Sequence, residues 1–85
     1  MRISNRDEEY VRALGNVIYN VRQHKGLSQE ELADKSGLHR TYISQVENGK
    51  NMSIDAFLHI CQSLNVIPSD ILKTAEKGLK YYESK

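Results

Sequence analysis

Polar side chains that can read DNA bases occur at helical spacing in one short segment of the chain. They are Arg40, Thr41, Ser44 and Gln45. The apolar Ile43 and Val46 are three residues apart and therefore share one side of a helix. A helix here turns that side inward and the polar groups outward. A guanidinium matches O6 and N7 of guanine, a glutamine amide matches N6 and N7 of adenine, and a threonine methyl can contact thymine. The residue types therefore predict a helix that contacts base edges in the major groove of DNA.

Two short helices around one tight turn are needed to present that face. Ser28 and Glu31 have the spacing of a capping box, which predicts the start of the first helix. Its buried side comprises Leu32, Ala33 and Ser36. Gly37 can adopt the left-handed conformation that ends a helix, and Leu38 then begins the apolar positions of the second helix. Residues 28–48 thus predict a helix-turn-helix.

The first three predicted helices lie in the N-terminal half of the chain. Helix 1 begins near residues 5–7 and is ended by Gly26, with a buried stripe of Val11, Leu14, Ile18 and Val21. Helix 2 covers residues 29–35 and helix 3 covers residues 40–47. His39 stands at the cap position of helix 3, where Ser, Thr, Asp or Asn is usual, so this cap is predicted to be weak.

Two more helices follow, which makes the predicted fold all-α with five helices. Ser53 caps helix 4, whose buried face is predicted to contain Ile54, Phe57, Leu58, Cys61 and Leu64. Pro68 starts helix 5, although Ile67 before it is a poor cap. Gly78 interrupts the pattern, so residues 76–85 are predicted to be either a weakened continuation of helix 5 or a separate short helix.

Length and composition limit the chain to one small domain. It has 85 residues, of which 39% are hydrophobic and 27% charged, and a net charge of +1. We expect a single domain over residues 1–85 without a ligand-sensing unit, and hence no small-molecule effector. No apolar run approaches the roughly 20 residues that span a bilayer, so no membrane association is expected. The single cysteine favours a reducing cytoplasm.

No pattern of catalytic or metal-binding residues stands out. His24, His39 and His59 lack the spacing of metal ligands, and Cys61 falls among the core positions of helix 4. There is no nucleophile elbow and no pair of acids arranged for catalysis. We therefore expect neither an enzyme nor a cofactor.

Residues 29–48, with Ala33, Gly37, Ile43 and Val46 at the expected offsets, resemble the helix-turn-helix of the lambda-repressor/Cro-like (XRE) family. The likeness extends upstream through residues 22–29 and downstream through residues 47–64. Among the short members, the segment His-Arg-Thr-Tyr-Ile-Ser at the second helix of the motif most resembles the controller proteins of restriction-modification systems. Compact phage repressors share the same frame and stay an alternative. The resemblance implies a compact five-helix domain that binds a palindromic double-stranded operator as a homodimer and regulates transcription.

The resemblance also implies roles for residues around helix 3, which corresponds to the recognition helix of this family. Arg22 would pair with Glu47, the alternative being a solvated arginine whose stem covers apolar surface. Gln29 would contact a DNA phosphate at the start of helix 2. The other candidates for backbone contacts are His39, Tyr42, Asn48 and Lys50. His39 could equally be an exposed turn residue without that role, and Tyr42 could serve mainly in packing.

Helix 5 and the extension carry apolar residues beyond those a monomeric core needs. They are Leu72, Ala75, Leu79 and Tyr82, and they predict a dimer interface. The rival interpretation is that Leu79 and Tyr82 fold back onto helix 1 of the same chain. The alternative function is that of an antitoxin or adaptor whose main role is to bind a partner protein.

Overall fold

The computed structural model describes residues 5–79, which form five α-helices and no strand. The helices are α1 (Asn5–His24), α2 (Gln29–Ser36), α3 (Arg40–Glu47), α4 (Ile54–Leu64) and α5 (Pro68–Lys77). The predicted all-α class is confirmed. Within the described range, no helix is long and apolar enough to cross a membrane.

The turn between α2 and α3 is built by the local signals in the sequence. Ser28 Oγ accepts the Glu31 N–H at 3.0 Å, and the Ser28 N–H donates to Glu31 Oε1 at 2.8 Å. This second bond stabilises the carboxylate and lowers the pKa of Glu31. Gly37 has a φ of 75° and donates its N–H to the Ala33 carbonyl at 2.9 Å. The predicted capping box and left-handed glycine are both confirmed.

The core lies between the helix-turn-helix and the three other helices. It is centred on the fully buried side chains of Ile18, Leu32, Ile43, Val46, Ile60 and Leu64. α1 packs against α3 and α5, and α2 packs against α3 and α4. Because α2 and α3 have only eight residues each, too few for a helix to persist alone in water, this packing holds them in place.

The predicted buried face of α4 is wrong at two positions. Phe57, Cys61 and Leu64 are buried as predicted, and burial raises the pKa of the Cys61 thiol to about 11. Ile54 is 72% exposed and Leu58 is 46% exposed. Their places in the core are taken by Ala56 and Ile60. Apolar residues occupy two adjacent faces of α4, and packing against α2 and α5 buries only one of them.

The prediction that Ala75 and Leu79 belong to apolar surface beyond what the monomer core needs is also wrong. Ala75 and Leu79 are only 2% and 9% exposed, because α5 packs along α1. Leu72 is partly buried and packs against the core. Tyr82 lies outside the described residues. The Tyr10 hydroxyl donates to Glu76 Oε2 at 2.6 Å and adds a polar link between α1 and α5.

Gly15 allows α1 to cross α3 at close range. A Cβ atom added to Gly15 would overlap the Val46 carbonyl oxygen, which belongs to the backbone and cannot rotate away. We expect Gly15→Ala to separate the two helices and to lower the free energy of unfolding by roughly 1–3 kcal/mol or more. Urea denaturation followed by circular dichroism measures this loss.

Gly78→Ala is the matched control for this prediction. Gly78 has a φ of −87°, and an added Cβ would lie 3.6 Å from the Ala75 carbonyl oxygen, an ordinary contact. The substitution should be neutral or should stabilise the chain by roughly 0.4–1 kcal/mol, since alanine restricts the unfolded state. Equal stability changes in the two variants would contradict the close crossing.

Candidate nucleic-acid interface

α3 presents one polar face to solvent and buries the opposite face completely. Ile43 and Val46 have no exposed surface. Arg40, Thr41 and Gln45 are exposed, and Ser44 is half-buried. The guanidinium and the amide are therefore available to base edges without any rearrangement of the core. His39 precedes the helix with extended backbone and makes no side-chain capping hydrogen bond, as its residue type predicted.

A buried ion pair joins the end of α3 to the end of α1. Arg22 Nε donates to Glu47 Oε2 at 2.6 Å, and Nη2 donates to Oε1 at 3.0 Å. The two side chains are 6% and 3% exposed, so the solvated-arginine interpretation is wrong. Hydrogen bonding to Glu47 raises the pKa of Arg22, against the opposing effect of burial. The bidentate geometry fixes both the distance and the rotation between the two helices.

The same guanidinium also holds the start of α2. Arg22 Nη1 donates to the Leu27 carbonyl at 2.7 Å, and the Tyr19 ring lies 5.3 Å from the guanidinium carbon. Gln29 Nε2 donates to Glu47 Oε1 at 3.0 Å. Nothing in the residue pattern around Gln29 predicted this last bond. Gln29 thus supports the ion pair as well as standing at the N-terminus of α2, where backbone N–H groups lack intrahelical partners.

Tyr42 connects the recognition helix to the start of α4. Its ring is half-buried against the core, which bears out the packing interpretation, and its hydroxyl oxygen accepts the Ser53 N–H at 3.1 Å. Since the oxygen is the acceptor, the hydroxyl hydrogen remains able to donate to another group. A phosphate contact through this hydrogen stays a prediction.

The turn after α3 is fixed to that helix by its backbone. The Lys50 N–H donates to the Gln45 carbonyl at 2.9 Å, and Asn48 Nδ2 donates to the Ser44 carbonyl at 2.8 Å. Asn48 and Lys50 are exposed. Any contact that they make to a DNA backbone is thereby held in register with Gln45.

A comparison of the sequence with known protein families finds a match to a family model. Residues 18–72 match the model described as helix-turn-helix. The control protein C.BamHI of Bacillus amyloliquefaciens is 43% identical over 60 residues, which cover 68% of this chain and 74% of that protein.

Two solved structures extend the comparison to three dimensions. The restriction-modification controller protein C.AhdI of Aeromonas hydrophila is 37% identical with a TM-score of 0.70, over 72% of this chain and 94% of that one. The clp gene regulator ClgR of Corynebacterium glutamicum is 30% identical with a TM-score of 0.78, over 82% and 92%.

Removal of one partner of the ion pair should be costly. Glu47→Ala leaves the buried guanidinium without a counter-charge, and we expect a loss of roughly 3–5 kcal/mol in the free energy of unfolding. The measurement is a denaturant melt with the slope checked for constancy.

Glu30→Ala serves as the control, because Glu30 is an exposed glutamate one residue after Gln29. It should change stability by no more than about 0.5 kcal/mol. If Glu47→Ala also cost under about 1 kcal/mol, the value typical of exposed pairs, the buried pair would not stabilise the fold as described.

Proposed function

Because the chain belongs to the helix-turn-helix family of DNA-binding transcription regulators, we propose that it binds a palindromic operator as a homodimer. The observation that carries this proposal is the face of α3, with Arg40, Thr41 and Gln45 exposed over a fully buried Ile43 and Val46. C.BamHI is named a control protein and C.AhdI a restriction-modification controller. We extend that role to this chain, which then regulates genes of a restriction-modification system.

In the proposed complex, α3 contacts the bases and the segments on either side of it contact phosphates. Arg40 and Thr41 in the first turn of α3, and Ser44 and Gln45 one turn later, contact base edges. Phosphates are contacted by Asn48 and Lys50 after α3, and by Gln29 with the backbone N–H groups at the start of α2. His39 and Tyr42 add further contacts to the backbone of the operator.

We propose that the second copy covers the apolar residues that α4 leaves exposed. Ile54 and Leu58 lie one turn apart on α4, and Ile67 is the residue before α5. These side chains are 72%, 46% and 62% exposed. One domain offers few base contacts, and two-fold symmetry doubles them. A second copy on this face would cover the exposed apolar residues and would give the protein the two-fold symmetry that a palindromic operator requires.

The proposal also covers the location of the protein, its mode of action and its effectors. A regulator that binds operator DNA acts where that DNA is, so we propose a cytoplasmic location. The protein acts by occupying DNA rather than by catalysis, and it does so without a small-molecule effector. A palindromic repeat upstream of its own gene is the first DNA to test.

Base reading and phosphate contact predict different responses to substitution. Arg40→Ala should weaken operator binding by roughly 1–3 kcal/mol and leave random-sequence DNA nearly unaffected, since only the operator offers the matching base. Lys50→Ala should weaken binding to both and reduce the salt dependence. Fluorescence anisotropy with both duplexes measures the four affinities.

Two results would contradict these assignments. Equal weakening of operator and random DNA by Arg40→Ala would remove its role in base reading. A wild-type chain that binds no upstream palindrome, and instead copurifies with a second protein, would favour the antitoxin or adaptor function.

The dimer proposal predicts that a charge on the exposed face of α4 separates the copies. Leu58→Asp places a carboxylate in the proposed interface, where it would lose its hydration, so we expect monomers in sedimentation equilibrium at concentrations where the wild type is dimeric. His59→Asp is the control, because His59 is exposed on α4 but lies on a neighbouring face. Persistence of the dimer in Leu58→Asp would place the interface elsewhere.

A further inference from the structure

Arg12 is brought next to the turn that follows the recognition helix. It is an exposed residue of α1, one turn before the close crossing at Gly15. A Cβ atom added to Gly49 would lie 3.4 Å from the Arg12 Cβ and Cγ atoms, so the arginine stem passes directly over this turn. Arg12 is remote from α3 in sequence, and nothing in its local pattern predicts the proximity.

Arg12 and Lys50 line one open cleft of about 280 Å³. The other residues that line it are Glu8, Val11, Gly49 and Asn51. Two cations face one carboxylate, so the cleft carries a net positive charge. Within the part of the chain that the structure describes, Arg12 forms no ion pair with Glu8 or with any other acid. Its guanidinium is therefore available to an anion.

We propose that Arg12 is an additional contact to the DNA backbone, binding a phosphodiester group together with Lys50. The proposal rests on the proposed function and adds a site on α1 to the DNA-binding surface. A planar guanidinium binds phosphate through two parallel N–H groups, whereas the Lys50 ammonium acts as a compact charge. A phosphate in the cleft also relieves the repulsion between the two cations.

The register of this contact is set by the backbone of the turn. The Lys50 N–H is bonded to the Gln45 carbonyl and the Gly49 N–H to the Val46 carbonyl, at 2.9 and 3.1 Å. α1 itself is fixed against α3 at Gly15. Arg12 thus meets the DNA backbone at a defined distance from the base-reading face, and it fixes the orientation of α3 in the groove without reading sequence.

The test compares salt dependence in two variants of the full chain. Arg12→Gln keeps much of the stem over Gly49 and removes the charge, and Lys73→Gln removes an exposed charge from α5. Each phosphate contact contributes about 0.9 to the slope of log affinity against log salt. Between about 50 and about 200 mM salt, the wild-type affinity should therefore fall roughly 3.5-fold more than that of Arg12→Gln. Lys73→Gln should keep the wild-type slope.

The variants are measured on the operator and on random-sequence duplex. An equal drop in slope on both DNAs supports a backbone contact, and Arg12→Lys, which retains the charge, should restore most of the slope. If Arg12→Gln keeps the wild-type salt dependence while Lys50→Gln reduces it, Arg12 does not contact a phosphate and the proposal is overturned. The phosphate contact of Lys50 would then stand. Equal affinity of the wild type for both duplexes would instead refute operator recognition while leaving the Arg12 contact intact.

Discussion

The arrangement of the DNA-binding surface depends on one buried guanidinium. Arg22 joins the end of α1, the carbonyl of Leu27 before α2 and the carboxylate of Glu47 at the end of α3. A buried charge is tolerated only when its hydrogen bonds are satisfied, so these three chain segments cannot shift independently. The angle between α2 and α3 is therefore set before DNA binds, and little ordering remains to be done on association. Gln29 extends the same constraint to the first turn of α2.

The short helices make this constraint necessary. Helices of eight residues have little stability of their own, and α3 lacks a side-chain cap at His39. Its position is instead determined by contacts at several points along its length. Gly15 lets α1 approach the Val46 backbone, Tyr42 reaches the N–H at the start of α4, and the turn after Glu47 is bonded back to the helix. Weak local propensity is thus offset by tertiary contacts that also orient the polar face.

Features encoded by neighbouring residues could be predicted from the sequence, whereas the choice between competing faces could not. The capping box at Ser28, the left-handed Gly37 and the burial of Ile43 and Val46 each depend on a few adjacent positions. On α4 the apolar residues span two faces, and periodicity alone cannot decide whether Leu58 or Ile60 enters the core. That choice depends on where α2 and α5 lie. The same holds for Ala75. Its sequence position alone does not show that it belongs to the monomer core, which becomes evident only from the packing of α5 on α1.

The charge distribution explains how a chain with a net charge of only +1 can serve a polyanionic partner. Bulk attraction is weak, so affinity has to come from cations held at defined positions. Acidic residues such as Glu30 and Asp34 are exposed on α2, whereas the outward face of α3 carries none before Glu47, which is itself neutralised by Arg22. Positioned charge requires a rigid support, and a small domain gains further contacts most simply by adding a second copy. Ile54 and Leu58, the exposed apolar residues of α4, are where we propose that this second copy packs.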